Sequence, residues 1–400
     1  MTAASPRRPW TIPMVGRNTD ERHRVSTPLE LLFDLTFVVA VGRLAAELGH
    51  SVESGHVGHG VGSYLMLFFG IYWAWLNFTW FASAFDTDDV GYRLLTLLQM
   101  AGVLILAASV NDAFEHDHFG GTVVGYVVMR VAMVAQWLRV AFSADDRRRT
   151  GLRYAGGVLT VQVLWVVWVL LPLPRAGQII GFLIMVVLEV LVPYWAERAG
   201  ETSWHAHHIA ERYGLFTLIV LGEGVLASSN ALEDANSEHA ALGPLVVLGI
   251  GALVLLFGLW WLYYLRDAAD GLAERRNSAG FRWGYGHYLV FASLAALGAG
   301  LEVAAVATTS EVEASDLTVT FAVAVPICLF LLVLYYLHRL LPGVELPGLT
   351  GTLVAVVATL VIAGFGSTLP LAGVVAALAV PTALLVASSV SVEHRLAANA

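Results

Sequence analysis

The sequence predicts an all-α fold, a polytopic bundle of about twelve transmembrane helices, and three observations predict it. Hydrophobic residues make up 58% of the 400 residues and charged residues only 13%, against roughly 45–50% and about 25% in soluble domains. The mean hydropathy of +0.71 agrees. The apolar residues fall in runs of about 20, which at 1.5 Å per residue is the length a helix needs to cross the ~30 Å hydrocarbon core. The arginines gather mainly at alternate ends of those runs.

Taken in order, the runs give spans at 28–49, 61–83, 92–110, 120–143, 152–171, 176–195, 211–231, 240–265, 283–307, 317–337, 349–365 and 369–390. Span 1 opens after Ser26-Thr27-Pro28, a helix-start signal, and carries Glu30 and Asp34. Span 2 holds Tyr72, Trp73, Trp75 and Trp80, and span 8 holds Trp260, Trp261, Tyr263 and Tyr264, which read as belt or packing aromatics. Neutral polar side chains, Asn77, Gln99, Gln136 and Gln162, punctuate spans 2 to 5. Span 4 has Arg130 near its middle and span 6 has Glu189; span 7 has Glu223 between Gly222 and Gly224. Span 9 carries His287 and Glu302, and span 10 the lone Cys328. Gly364, Gly366 and Pro370 divide spans 11 and 12, whose many Ala and Gly suit close helix packing or a homodimer face.

Loop charges orient the chain. With the first segment inside, 19 of the 22 basic residues, all of them Arg, fall in cytoplasmic segments or at the cytoplasmic ends of spans, including Arg7, Arg8, Arg22, Arg147, Arg148, Arg149, Arg275 and Arg276. The opposite loops carry acids: Asp112, Glu115 and Asp117; Glu233, Asp234 and Glu238; Glu311, Glu313 and Asp316. Both termini are therefore expected in the cytoplasm, with an arm at 1–27, a transmembrane domain at 28–390 and a tail at 391–400. Twelve spans divide as six plus six, 28–195 and 211–390. The first spans of the two halves are loosely alike, Glu30 preceding LTFVVAVGRL and Glu211 preceding LFTLIVLGEGVL. Arg7 and Arg8 are followed by Pro9, Trp10 and Pro13 where the apolar region of a secretion signal would begin, so the arm reads as cytosolic.

Composition also excludes functions. The absence of lysine removes the P-loop lysine of nucleotide-driven motors and any Schiff-base lysine. One cysteine allows neither an intramolecular disulfide nor a thiolate metal site. The net charge of −9 sits mostly on the outer loops, and nucleic-acid binding is not expected. No HExxH, GxSxG or Cys nucleophile motif marks an enzyme, and no cofactor is expected.

The stretch PLELLFDLTFVVAVGRLA (Pro28 to Ala45) resembles the opening motif of the low temperature requirement A (LtrA) family, and HHIAERYGLFTLIVLGEGV (His207 to Val225) resembles its second motif. DTDDVGYRLLTLLQM (Asp86 to Met100) is similar to that family's second loop and third span. The positions matching are Glu30, Phe33, Asp34 and Phe37, then His208, Glu211, Arg212, Gly222 and Glu223. The resemblance implies a bacterial multi-pass inner-membrane protein, named for growth in the cold, and implies no reaction, substrate or catalytic residue.

Function is therefore argued from polar groups inside the spans, each costing about 2.5 kcal/mol or more near the bilayer centre unless paired or used. Glu30 and Asp34 lie about 40° apart on one helix face, with Arg43 and Glu47 turned nearly to the other side. Asp34 is roughly 9 Å past the start of span 1, too deep for a solvated cap. Glu30 reads both as a first-turn cap and as a site residue. Arg130 always keeps its charge and needs an acid beside it, for which Asp34 or Glu223 is expected; the bland reading is a buried pair that fixes helix register. His205, His207 and His208 with Glu211 and Arg212 form a cytoplasmic mouth, expected to be a gate or pH-sensitive element in preference to a metal site. His287 and Glu302, 60° apart or so on one helix, read as ends of a proton path or as rim residues. The leading expectation is an ion-coupled secondary transporter of a small solute, with Asp34, Arg130, Glu223 and Glu189 lining a midplane site. A channel and a non-transporting sensor are the alternatives.

Overall fold

The computed structural model describes residues 9–18, 21, 24–143, 145–237, 242–274, 278–342 and 347–398. Of 227–228, 230–237, 278–279 and 396–397 it describes the backbone alone. Arg7, Arg8, Arg22, Glu238, Arg275 and Arg276 lie outside the described residues, as do the side chains of Glu233 and Asp234. Among the described residues every regular element is helical: α1 (Pro28–Glu53), α2 (Val57–Phe85), α3 (Val90–Ala108), α4 (Val110–His116), α5 (Gly120–Ser143), a 3₁₀ turn (Asp145–Arg147), α6 (Arg148–Leu170), α7 (Arg175–Glu197), α8 (Ala206–Ser237), α9 (Leu242–Tyr264), α10 (Ala269–Glu274), α11 (Ser278–Thr309), α12 (Asp316–Leu340), α13 (Leu349–Ala363), α14 (Leu371–Ala377) and α15 (Ala379–Ala398).

Eleven of the twelve apolar runs coincide with a helix and the last with α14 and α15 in succession, and nine helical stretches among the described residues are long and apolar enough to cross a membrane. The other three fall short for visible reasons. α1 and α8 have the length but carry the acids and arginines noted above. α13 is apolar but has 15 residues, about 22 Å against a ~30 Å core. The expected break between the last two runs is present, since α13 ends at Ala363 and α14 begins at Leu371. The apolar side chains also point outward as a bilayer demands: on α7, Leu183, Ile184, Val187 and Leu191 are all exposed.

The chain forms two compact units, one of residues 1–40 and 69–209 and one of residues 41–68 and 210–400. In the first, α3, α5, α6 and α7 pack as successive neighbours. Small residues let the backbones meet: a Cβ on Gly125 would lie 2.5 Å from the Leu106 nitrogen, and one on Gly102 would lie 2.7 Å from the Gly125 carbonyl. Trp137 of α5 stacks on Tyr154 of α6 with centroids 3.9 Å apart. The arm ahead of α1 is docked here. Met14 is fully buried, the Val90 and Gly91 nitrogens donate to the Pro9 and Trp10 carbonyls, and Arg24 reaches the Ser83 and Ala82 carbonyls at the end of α2. A cation on terminal carbonyls complements the helix dipole.

In the second unit α11 packs along α12, α12 along α13, and α9 against α14 and α15. Gly300 of α11 sits against α12 where a Cβ would come within 2.6 Å of the Ala322 carbonyl. That carbonyl has lost its helical donor because residue 326, four positions on, is proline.

Candidate functional site

Three polar constellations occupy the helices. The first, in unit one, centres on Glu189, whose side chain is 2% exposed. Its Oε2 accepts from the Trp73 indole at 2.9 Å and the Arg130 guanidinium at 3.1 Å. Its Oε1 accepts from the Tyr126 hydroxyl at 2.7 Å and the Trp165 indole at 3.3 Å. Arg130 also bonds the Tyr126 hydroxyl and lies over that ring, its Cζ 4.7 Å from the centroid. The expected partners of Arg130, Asp34 or Glu223, are thus corrected: its acid is Glu189 on α7. Arg130 and Tyr126 are one turn apart on α5, so the helix itself brings the cation and the hydroxyl to the same carboxylate. Four donors from α2, α5 and α6 thus converge on one glutamate of α7, beside an arginine that cannot deprotonate.

The second constellation joins the start of α1 to the start of α8, also within unit one. The cap reading of Glu30 holds, and its second oxygen is turned to another helix. One oxygen caps the helix, accepting from the Thr27 nitrogen at 2.7 Å, while the Thr27 hydroxyl accepts from the Glu30 nitrogen. The other oxygen lies 3.0 Å from His208 Nε2, and both side chains are wholly buried. His205 Nδ1 accepts from the His208 nitrogen, and its Nε2 meets the Glu21 carbonyl at 2.6 Å. Asp34, one turn further into α1 and fully buried, accepts from the Trp75 indole at 2.7 Å.

Beside this pair runs the connection 86–89, whose three aspartates match no motif that gives them a role. Burial, reinforced by the negative charge of Glu30, pushes the Asp86 carboxyl up to about 6 despite Arg24 and Arg17. Asp89 caps α3 through the Tyr92 nitrogen at 2.7 Å, takes the Ile12 nitrogen at 2.7 Å and pairs with Arg139. Burial pushes Asp89 up, and these donors outweigh it, holding the carboxyl below its usual range. Four acids or capping positions within DTDD are a loop-to-helix signal; that Asp89 also anchors the distant arm has no local signal.

The third constellation is in unit two. Glu223 on α8 and Glu302 on α11 line one cavity of about 40 Å³ together with Gly42, Ala45, Gly224 and Gly298. A water needs about 10–15 Å³ of such space, so the cavity admits a water or a largely dehydrated ion. The glycines make the room. A Cβ on Gly42 would stand 3.1 Å from Glu223 Oε2, and one on Gly298 would stand 3.3 Å from the Gly224 Cα. Gly224 is therefore the glycine that admits a neighbouring helix, and Gly222 faces open space. His287, expected with Glu302, is elsewhere. It is buried among Tyr213, Trp283, Tyr263 and Phe291, with Nδ1 2.8 Å from the Trp283 carbonyl and Nε2 3.1 Å from the Tyr263 hydroxyl. The Trp283 carbonyl makes Nδ1 the donor of that bond, and the Tyr263 hydroxyl meets the other ring nitrogen. The rim reading of His287 is corrected to a core histidine. Arg212 is fully buried, Glu211 half-buried, and Arg43 exposed. Among the described residues no group of three or more His, Cys, Asp or Glu side chains is placed to hold a metal ion.

The family model for the bacterial low temperature requirement A protein matches residues 25–390. The chain belongs to the LtrA family. A further similarity is to uncharacterized protein RA0937 of Rhizobium meliloti (strain 1021), 26% identical over 287 residues, which is 68% of this chain and 66% of that protein. The alignment thus spans just under two thirds of that relative's length. In this LtrA-family chain the two motif segments meet where Glu30, from PLELLFD, faces His208, from HHIAER, and again where Gly42 leaves room for Glu223. It is a multi-pass helical membrane protein by both its family and its helices.

Proposed function

We propose that this LtrA-family protein is an ion-coupled secondary transporter of a small solute. In this reading it crosses the bacterial cytoplasmic membrane twelve times with both termini in the cytoplasm. The observation that carries the reading is Glu223. Unlike Glu189, whose lone pairs are met by four protein donors, its carboxylate makes no hydrogen bond or ion pair among the described residues and faces a small cavity shared with Glu302. A chain keeps an unpartnered acid at membrane depth at a cost of about 2.5 kcal/mol or more unless a bound cation offsets it. Two acids around a space of about 40 Å³, room for a few waters at most, suit a proton or a small dehydrated cation. The buried Glu30–His208 contact ties the start of α1 to the start of α8, and the Arg130–Glu189 cluster is the rigid frame.

Thermal stability of the purified protein, screened against monovalent ions and small metabolites, tests this. A compound that raises the melting temperature of wild type but not of Glu223→Gln supports a site at Glu223. No stabilising compound, with Glu223→Gln as stable as wild type, opposes it.

A further inference from the structure

A far larger space in the second unit is unrelated to the acids. A groove of about 590 Å³ lies between the end of α1, the start of α2, and the facing surfaces of α11 and α12. Its floor is made of small residues, among them Ala292, Ser293, Ala299 and Gly300, so the volume is carved by missing side chains on α11. Its rim is Val61, Leu65, Leu317 and Val325, which are 38–52% exposed and belong to helices long and apolar enough to cross a membrane. Along α12 the wall runs from Leu317 to Leu329, about 18 Å at 1.5 Å per residue, close to one leaflet's share of a ~30 Å hydrocarbon core.

The polar side chains of the wall are already engaged. The Tyr64 hydroxyl donates to the Ala292 carbonyl at 2.6 Å, the Ser293 hydroxyl donates to the Val290 carbonyl at 2.8 Å, and the Thr318 hydroxyl meets Ser315 at 2.9 Å. A polar solute would surrender its water and gain no partner here, whereas an alkyl chain loses nothing. An empty slot of this size would forfeit contact along its whole lining. We infer that this groove is a binding site for one acyl chain of a membrane phospholipid, entering sideways from the bilayer past Val61 and Val325.

The test is photolabelling of the full-length protein in vesicles of phosphatidylethanolamine and phosphatidylglycerol doped with a phospholipid whose acyl chain carries a diazirine. Labelled residues are then mapped by mass spectrometry. Ser293 and Ala299 are each 2% exposed and lie on the floor, beyond the reach of lipid that merely coats the surface. Labelling of Ser293 and Ala299, competed by unlabelled phospholipid and lost in Ala296→Phe while outward residues such as Leu253 and Phe257 stay labelled, is the expected result. Labelling confined to outward residues, with the floor silent in wild type, would overturn the inference whether or not Ala296→Phe folds. Competition by free fatty acid alone, with none by phospholipid, would overturn it as well.

Discussion

A carboxylate at membrane depth is tolerable when its lone pairs are met, and Glu189 shows what that takes: two indoles, a phenol and a guanidinium from three other helices. Removing one partner of such a pair leaves the other charged and uncompensated, about 3–5 kcal/mol in buried sites. Arg130→Ala is therefore expected to lower the melting temperature in detergent markedly, while Arg130→Met with Glu189→Leu recovers most of the loss because no lone charge remains. A double variant no better than Arg130→Ala would contradict the register role. Asp86 gives a pH prediction at the same scale. Its carboxyl is raised from 3.8 to about 6 by burial and by Glu30, so between those values the folded protein holds a proton that the unfolded chain has released. Stability falls as pH rises through that window, by roughly 3 kcal/mol in total, and is restored on acidification. Asp86→Asn should flatten the dependence and stabilise the protein at pH 7; melting curves from pH 4 to 7 check both. The existence of these acids was legible in the sequence, since a charge in an apolar run is conspicuous. Their partners were not: Arg130 and Glu189 are 59 positions apart, and no local pattern selects one acid over another at that separation.

Helices were the legible elements. Runs of apolar length coincide with helices throughout, and Thr27-Pro28-Leu29-Glu30 wrote its own capping box. What the runs concealed is how closely the helices approach. α3 and α5 meet backbone to backbone at Gly102 and Gly125, where a Cβ would stand 2.5–2.9 Å from backbone atoms. Gly125→Ala is expected to destabilise by more than the ~1 kcal/mol that improved helix propensity returns, whereas Gly222→Ala, facing open space, should be neutral or slightly stabilising. Paired melting temperatures of the two variants measure the difference. The glycine at 42 is of another kind, since what it makes room for is the Glu223 carboxylate rather than a helix backbone.

At the scale of the whole molecule, the alternation of arginine and acid predicts twelve crossings, and cysteine chemistry can count them. The native thiol is buried Cys328, so Cys328→Ala gives a cysteine-free background. Single cysteines at Glu115 and Glu313 should react with a membrane-impermeant maleimide in intact cells, and one at Asp146 should react only after permeabilisation. Labelling of all three from outside would break the topology. The candidate site was half legible at this scale: the motif segments named Glu30, His208 and Glu223, but the separation of locked acids from an unpartnered one is a property of packing. The central claim is that Glu223 holds the coupling ion. Its most direct test is uptake into proteoliposomes of the compound that best stabilises the wild type, driven by a gradient of the stabilising ion. Saturable, gradient-dependent uptake by wild type, lost in a Glu223→Gln protein that retains its fold, is the expected result. Undiminished gradient-driven uptake by Glu223→Gln would contradict it.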